Sequence, residues 1–199
     1  MSNLDKKLNV IDTVKDGISI GIKNIGPILV NIILWLLTVW IPYLNVGTTI
    51  GLVVGIVSKA SKDETIPFTE IFNPIYRKYM GEFFISSGLV GLGVAMGMFF
   101  FIIPGIVIGL AWCLTLLLVI DKRKNPTEAI SLSNNCTYGN KFRIFGVYFL
   151  VGIVFTIALL ILALIPFLGV LFVLAGSIFM GCTFIGLQAS IYKQLTAKV

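Results

Sequence analysis

Charge is confined to four short stretches of this chain. All 24 charged residues, 15 basic and 9 acidic, fall within residues 5–23, 59–82, 121–143 and 193–198. The uncharged runs between them, residues 24–58, 83–120 and 144–192, hold 35, 38 and 49 residues. A helix rises about 1.5 Å per residue, so each run would measure roughly 50 to 75 Å, about twice the ~30 Å hydrocarbon core of a bilayer. With 57% hydrophobic residues, 12% charged residues and a mean hydropathy of +1.01, a chain of 199 residues cannot cover a soluble core with polar surface. The sequence is that of an integral membrane protein.

If each run crosses twice, it returns to the side it left and all four charged segments share one face. The expected architecture is an all-α bundle of six spans, at residues 25–41, 44–59, 82–103, 105–120, 142–165 and 167–192. The charged segments carry four, four, five and two basic residues, and the positive-inside bias makes their face cytoplasmic, with both termini inside. That topology accounts for the net charge of +6 without a nucleic-acid partner. No apolar stretch directly follows the first lysines, so a cleaved signal peptide is not expected.

The midpoints of the runs read "WIPYLNVG", "FIIPGIVIG" and "ALIPFLGV", with Pro42, Pro104 and Pro166 spaced by 62 and 62 residues. Proline disfavours helix in the residue before it, so each Ile-Pro, with Gly105 after the second, reads as an outer hairpin turn; the alternative is a kink in one long helix. Equal spacing argues for a repeat. Thr13, Thr69 and Thr127 recur at spacings of 56 and 58, giving a single membrane domain of three pseudo-repeats at about 8–60, 66–120 and 125–195. Each unit pairs an interfacial amphipathic helix with a transmembrane hairpin.

In the first such helix Ile11, Val14, Ile18 and Ile22 share a face opposite Lys15, Asp16, Ser19 and Lys23. Phe68, Ile71, Phe72, Ile75, Tyr76 and Tyr79 suggest a second helix. Asn125 and Glu128 suggest a capping box opening a third. These helices are either connectors resting on the bundle or a collar for anionic lipid headgroups or a membrane protein partner, with Lys122, Arg123, Lys124, Lys141 and Arg143 as candidate contacts.

Gly47, Gly51 and Gly55 form a double GxxxG, and Gly93/Gly97 and Gly105/Gly109 two more, all candidates for close helix packing within the bundle or between subunits. The chain has no histidine, and Cys113, Cys136 and Cys182 are odd in number and widely spaced, so neither a metal site, nor a cofactor, nor a disulfide framework is expected. Asp63, Glu64, Asp121 and Glu128 read as solvated charges or helix caps, with no catalytic residue among them and no charged group near the middle of a span. Polar groups such as Asn31, Ser86, Ser87 and Thr115 read as hydrogen-bonding glue between spans.

The stretch from Ile102 to Gly146 resembles the core of a broad group of prokaryotic multipass proteins that includes YciC-like proteins and the membrane domain fused to some glycerophosphodiester phosphodiesterases. The resemblance is carried by Ile103-Pro104-Gly105, Asp121, Thr127-Glu128-Ala129 and Lys141-Phe142-Arg143-Ile144-Phe145-Gly146, about a quarter of the chain. The polar "TYGNK" departs from the group's pattern, which has an aromatic residue before the re-entry. It implies a prokaryotic cytoplasmic (plasma) membrane location and a fold. It does not imply the phosphodiesterase reaction, to whose domain no stretch of this sequence corresponds. The expected function is that of a non-enzymatic membrane protein in envelope organisation, lipid homeostasis or export. The alternative is a passive lipid or small-solute conduit between the hairpins, and an enzyme acting on lipids is least favoured.

Overall fold

The computed structural model describes residues 7–166 and 168–197. Over those residues the chain is helical, with no strand. Helix α1 (Val10–Lys23) opens on Asn9, whose side chain accepts from the backbone N–H groups of Ile11 at 3.1 Å and Asp12 at 3.5 Å. It closes on Asn24, whose backbone and side-chain N–H groups both bond the Ile20 carbonyl. Helix α2 (Ile25–Thr38) then leaves at 67° to α1, with Pro27 in its first turn, where a missing N–H costs no intrahelical bond. Pro42 begins α3 (Pro42–Ser61), which is interrupted by a π-helical turn at Gly51–Gly55.

A 3₁₀ turn at Glu70–Phe72 and the single turn α4 (Ile75–Lys78) lead to the hairpin of α5 (Met80–Phe100) and α6 (Ile102–Asp121). Helix α7 (Pro126–Thr137) precedes a second hairpin, α8 (Lys141–Ala163) and α9 (Gly169–Leu195). Five helices, α3, α5, α6, α8 and α9, are long and apolar enough to cross a membrane, and a sixth span results if α1 and α2 form one broken crossing. Phe99, Phe101, Ile103, Leu164 and Val170 at the hairpin tips are 72–83% exposed. Such bare apolar surface requires lipid around it, and the chain is a multipass helical membrane protein.

Helix α3 is central, with 56% of its most apolar window buried, whereas α5 buries 11% and lies at the periphery. Fully buried Ile50, Val54, Ile56, Leu114, Leu118, Val119, Ile144, Leu187 and Ile191 form the core between α3, the second half of α6, the start of α8 and the end of α9. Burying such side chains against protein rather than acyl chains gains little in lipid, so close backbone approach and polar bonds must fix the arrangement. The closest approach joins α1 to α9. A β-carbon on Gly186 would lie 2.0 Å from the Gly17 carbonyl oxygen, and one on Gly21 would lie 2.7 Å from the Cys182 oxygen. The two helices run antiparallel, tied further by Ser190 to Asp16 (2.7 Å) and Gln194 to Thr13 (3.2 Å).

Several expectations are corrected here. The turn of the α5–α6 hairpin is made by Phe101, extended at φ −159° and ψ 147°. Pro104 is the third residue of α6, and Gly105 serves packing, because its β-carbon would meet Met98 and its Cα lies against Gly97. Pro42 starts a helix after an extended Ile41, and Pro166 lies between α8 and α9; in both places a hairpin reversal does occur. The buried face of α1 is Thr13, Gly17, Ile20 and Gly21, while Ile11 and Ile22 are 64% and 52% exposed. Small residues win that face because they admit the α9 backbone. Residues 68–79 form no continuous amphipathic helix. At α7 the Asn125 side chain makes no cap bond, so the capping box is not formed.

Candidate functional site

A cluster of polar side chains gathers where α3 and α6 end. Asp121, the last residue of α6, has a side chain only 5% exposed. Its Oδ1 accepts from the Ser58 hydroxyl at 2.5 Å and from the Lys62 ammonium, and its Oδ2 accepts from the Tyr192 hydroxyl of α9 at 2.8 Å. One carboxylate thus joins three helices. Sequence reading made it a solvated charge because the partners stand 63, 59 and 71 residues away.

The segment after α3 does not stay at that end. Asn31, buried midway along α2, donates to the Pro67 carbonyl at 2.9 Å and accepts from the Ile71 N–H at 3.1 Å, clamping the chain between α2 and α3. The glycine stripe on α3 seats this returning segment. β-Carbons at Gly47, Gly51 and Gly55 would collide with Arg77, with the Ile71 backbone and with Tyr76. The stripe read as a helix–helix face therefore receives a loop, and the π turn at Gly51–Gly55 lies against it. Arg77 reaches Gly47 and stacks 5.8 Å from the centre of the Tyr43 ring. Gly47 lies 11 residues, or about 16 Å of helix, before Ser58, so the charges of this segment are spread along α3 rather than gathered on one plane.

The loop carries a second buried carboxylate, Glu70, 3% exposed, which accepts from the Tyr76 hydroxyl and pairs with Lys59 at 3.3 Å. Burial, reinforced by the bond to Glu70, holds the Tyr76 phenol well above its ordinary range. A cleft of about 190 Å³ lies over both pairs, lined by Ser58, Lys59, Lys62, Glu64, Glu70, Tyr76, Asp121 and Arg123 among others. Asp63, at φ 57°, ends α3, where the Glu64 N–H bonds the Lys59 carbonyl and the Asp63 N–H that of Ala60, as in a Schellman closure. Arg123, at φ 53°, follows α6 in the same left-handed conformation.

A further polar junction lies inside the bundle. α6 breaks at Cys113–Leu114, and the freed groups are taken up by neighbours. Ser133 and Thr137 of α7 donate to the Ala111 carbonyl at 2.8 and 3.1 Å, and the Leu114 N–H donates to Ser133 at 3.2 Å. Gln188 donates to the Cys113 carbonyl at 3.0 Å and accepts from the Tyr148 hydroxyl. α7 is thereby fixed to the side of α6.

Of the proposed headgroup contacts, Arg143 bonds the Leu8 carbonyl at 2.8 Å and Lys141 bonds Asn134 at 2.9 Å, so both are tied into the fold. Arg123 and Lys124 are exposed and Lys122 is half-buried. Gly93 and Gly97 pack within the α5–α6 hairpin, against Trp112 and Gly105, whereas Gly109 makes ordinary contact only. The three cysteines are free thiols, and among the described residues no group of three His, Cys, Asp or Glu is placed to hold a metal. No family model matches this chain, and neither the curated proteins nor the solved structures include a match to it.

Proposed function

We propose that this protein is a non-enzymatic membrane protein of envelope or lipid organisation, whose charged end meets anionic lipid headgroups in the cytoplasmic leaflet of a prokaryotic plasma membrane. The observation that carries this reading is the position of exposed Arg123 and Lys124 two and three residues after Asp121, the last residue of a span. There the headgroup layer begins, and each such cation contributes about 1 kcal/mol with acidic lipid. A non-catalytic role is supported by the state of the buried carboxylates. Asp121 and Glu70 are occupied by Ser58, Lys62, Tyr192, Tyr76 and Lys59, which leaves neither placed as a base toward a substrate. The three-repeat reading and the resemblance of the 102–146 stretch belong to the same proposal, with Pro42, Phe101 and Pro166 near the outer turns.

The test is enrichment of phosphatidylglycerol around the protein in mixed-lipid nanodiscs. Neutralising Lys122, Arg123 and Lys124 together to Gln is expected to lower it by about fivefold or more. Unchanged enrichment would remove the reading.

A second reading, a conduit between hairpins, rests on one open groove of about 500 Å³ along α8, lined by Leu110, Phe145, Tyr148, Phe149, Gly152 and Thr156 among others. It is apolar, and the core of the bundle is filled by fully buried Leu114, Leu118 and Leu187. Lipid scrambling by reconstituted protein would favour this reading over the first.

A further inference from the structure

The cleft at the ends of α3 and α6 is lined by three cationic and three anionic side chains. Four of the six are matched internally, Lys59 with Glu70 and Lys62 with Asp121. The remaining two, Arg123 and Glu64, are exposed, and among the described residues no hydrogen bond or ion pair engages either side chain. A bare anion in this cleft would face Glu64, and a bare cation would face Arg123. A ligand carrying both charges satisfies both.

The backbone accounts for that exposure. Arg123 sits at φ 53°, in the left-handed region that glycine adopts freely. It belongs to the turn that closes α6, where the Lys122 and Lys124 N–H groups both bond the Leu118 carbonyl, and that turn leaves the Arg123 side chain exposed, with no partner among the described residues. Its guanidinium is a planar multiple donor suited to phosphate, and the ammonium groups of Lys59 and Lys62 have donors beyond those used on Glu70 and Asp121. Both α3 and α6 end at this cleft, and the ends of apolar spans are where a bilayer's headgroup layer begins.

We infer that the cleft binds a zwitterionic amino-phosphoester headgroup, its phosphate held by Arg123 with Lys59 and Lys62 and its primary ammonium by Glu64. A primary ammonium donates hydrogen bonds to a carboxylate. A trimethylated one cannot, and no cluster of aromatic side chains lines the cleft to hold it instead. The ligand is thus of the ethanolamine rather than the choline class. This goes beyond the acidic-lipid reading, because it invokes a different headgroup and an anionic residue.

The test uses the full chain in detergent, offered equal amounts of phosphatidylethanolamine, phosphatidylcholine and phosphatidylglycerol with the same acyl chains, and the lipids retained are counted by native mass spectrometry. A charged hydrogen bond supports a preference of about tenfold for the ethanolamine over the choline lipid. Glu64→Gln, at an exposed position the fold tolerates, should bring that ratio to near unity while phosphatidylglycerol retention holds or rises. Arg123→Gly, which relaxes the backbone, should lower retention of both zwitterionic lipids. Competition by soluble glycerophosphoethanolamine would assign the cleft to a free phosphoester, and selectivity that survives it would assign the cleft to bilayer lipid. Equal retention of ethanolamine and choline lipids by the unaltered protein, or an unchanged ratio in Glu64→Gln, overturns the inference. Loss of phosphatidylglycerol binding on neutralising Lys122 and Lys124 bears only on the acidic-lipid reading and leaves this ratio untouched.

Discussion

Tyr76 occupies the place of a side chain on Gly55: a β-carbon there would stand 2.1 Å from the phenol oxygen and 2.5 Å from the ring carbon bearing it. The tyrosine cannot move aside cheaply, because its hydroxyl is bonded to buried Glu70 and its ring also lies against Gly51. Gly55→Ala should therefore cost about 2–3 kcal/mol through overpacking and loss of that bond, read as a lower thermal unfolding midpoint in detergent. Gly88→Ala and Gly91→Ala, where a β-carbon meets nothing within 4 Å, are the controls and should leave the midpoint unchanged or raise it. Equal midpoints for Gly55→Ala and Gly88→Ala would show that the loop is not seated on α3.

The α1–α9 crossing gives a second test. Gly186→Ala would place a methyl 2.0 Å from the Gly17 carbonyl oxygen and 2.8 Å from the Gly21 nitrogen, both backbone atoms that no rotamer change can clear. The helices must separate, which should weaken the Ser190–Asp16 and Gln194–Thr13 bonds as well. A loss of about 2–4 kcal/mol is expected, against little change for Gly181→Ala, five residues earlier and facing open space. Proteolysis within α1 at a protease level that spares the unaltered chain would report the same separation.

How far the sequence discloses this molecule depends on the range of the interaction. The membrane class and the three hairpin reversals follow from run length, and those at Pro42 and Pro166 also from local proline chemistry, whereas the middle turn falls on Phe101 ahead of Pro104. The polar centre follows from neither. Asp121 gives no local sign that Ser58, Lys62 and Tyr192 will enclose it, and Glu70 looks like any loop acid until Asn31 pins the segment between α2 and α3. One signal was legible: an asparagine in the middle of an uncharged run must find partners, and Asn31 does so on the backbone of a loop 36 residues on. Gly17 and Gly21 are not singled out by the sequence, because the apolar stripe of α1, with Ile11 and Ile22, marks the opposite, exposed face instead.

Not every buried polar group is matched. The hydroxyls of Ser86 and Ser87 on α5 and Thr115 on α6 are buried without a hydrogen-bond partner among the described residues, so they do not act as glue between the spans there. An unsatisfied buried hydroxyl is a net cost, and removing it without changing shape should stabilise the fold. Thr115→Val and Ser86→Ala are each expected to raise stability by about 1 kcal/mol, measured by thermal unfolding. Destabilisation by Thr115→Val would mean that the hydroxyl is hydrogen-bonded in the membrane.

Asp121 should behave in the opposite way. Asp121→Ala removes the acceptor of three donors and should cost about 2–4 kcal/mol, somewhat offset because the Lys62 side chain is 44% exposed and can turn to water. Tyr192→Phe removes one donor only and should cost about 1 kcal/mol. A double-mutant cycle between Ser58→Ala and Tyr192→Phe should show coupling, since both reach the same carboxylate, while coupling near zero would separate the two bonds energetically.

The Asp63–Lys193 pair, 2.6 Å apart, ties the end of α3 to the last turn of α9 and gives the stability a defined pH dependence. The hydrogen bond and charge of Lys193 hold the Asp63 carboxyl below its ordinary value of 3.8. A depressed carboxyl pKa makes its stabilisation complete above the unfolded value and loses it as pH falls through the folded one, so the contribution should be constant from pH 8 to about 5 and decline progressively below about pH 4. Its size is at most about 1 kcal/mol, because the side chains are 55% and 43% exposed and solvent screens them. Asp63→Asn is the clean comparison, since asparagine also accepts the left-handed φ of 57° at this position. The variant should unfold slightly below the unaltered chain at pH 7, the gap should shrink in high salt, and it should narrow steadily as pH falls below 4. A gap that persists unchanged at pH 3 would place the effect in the backbone turn rather than in the ion pair.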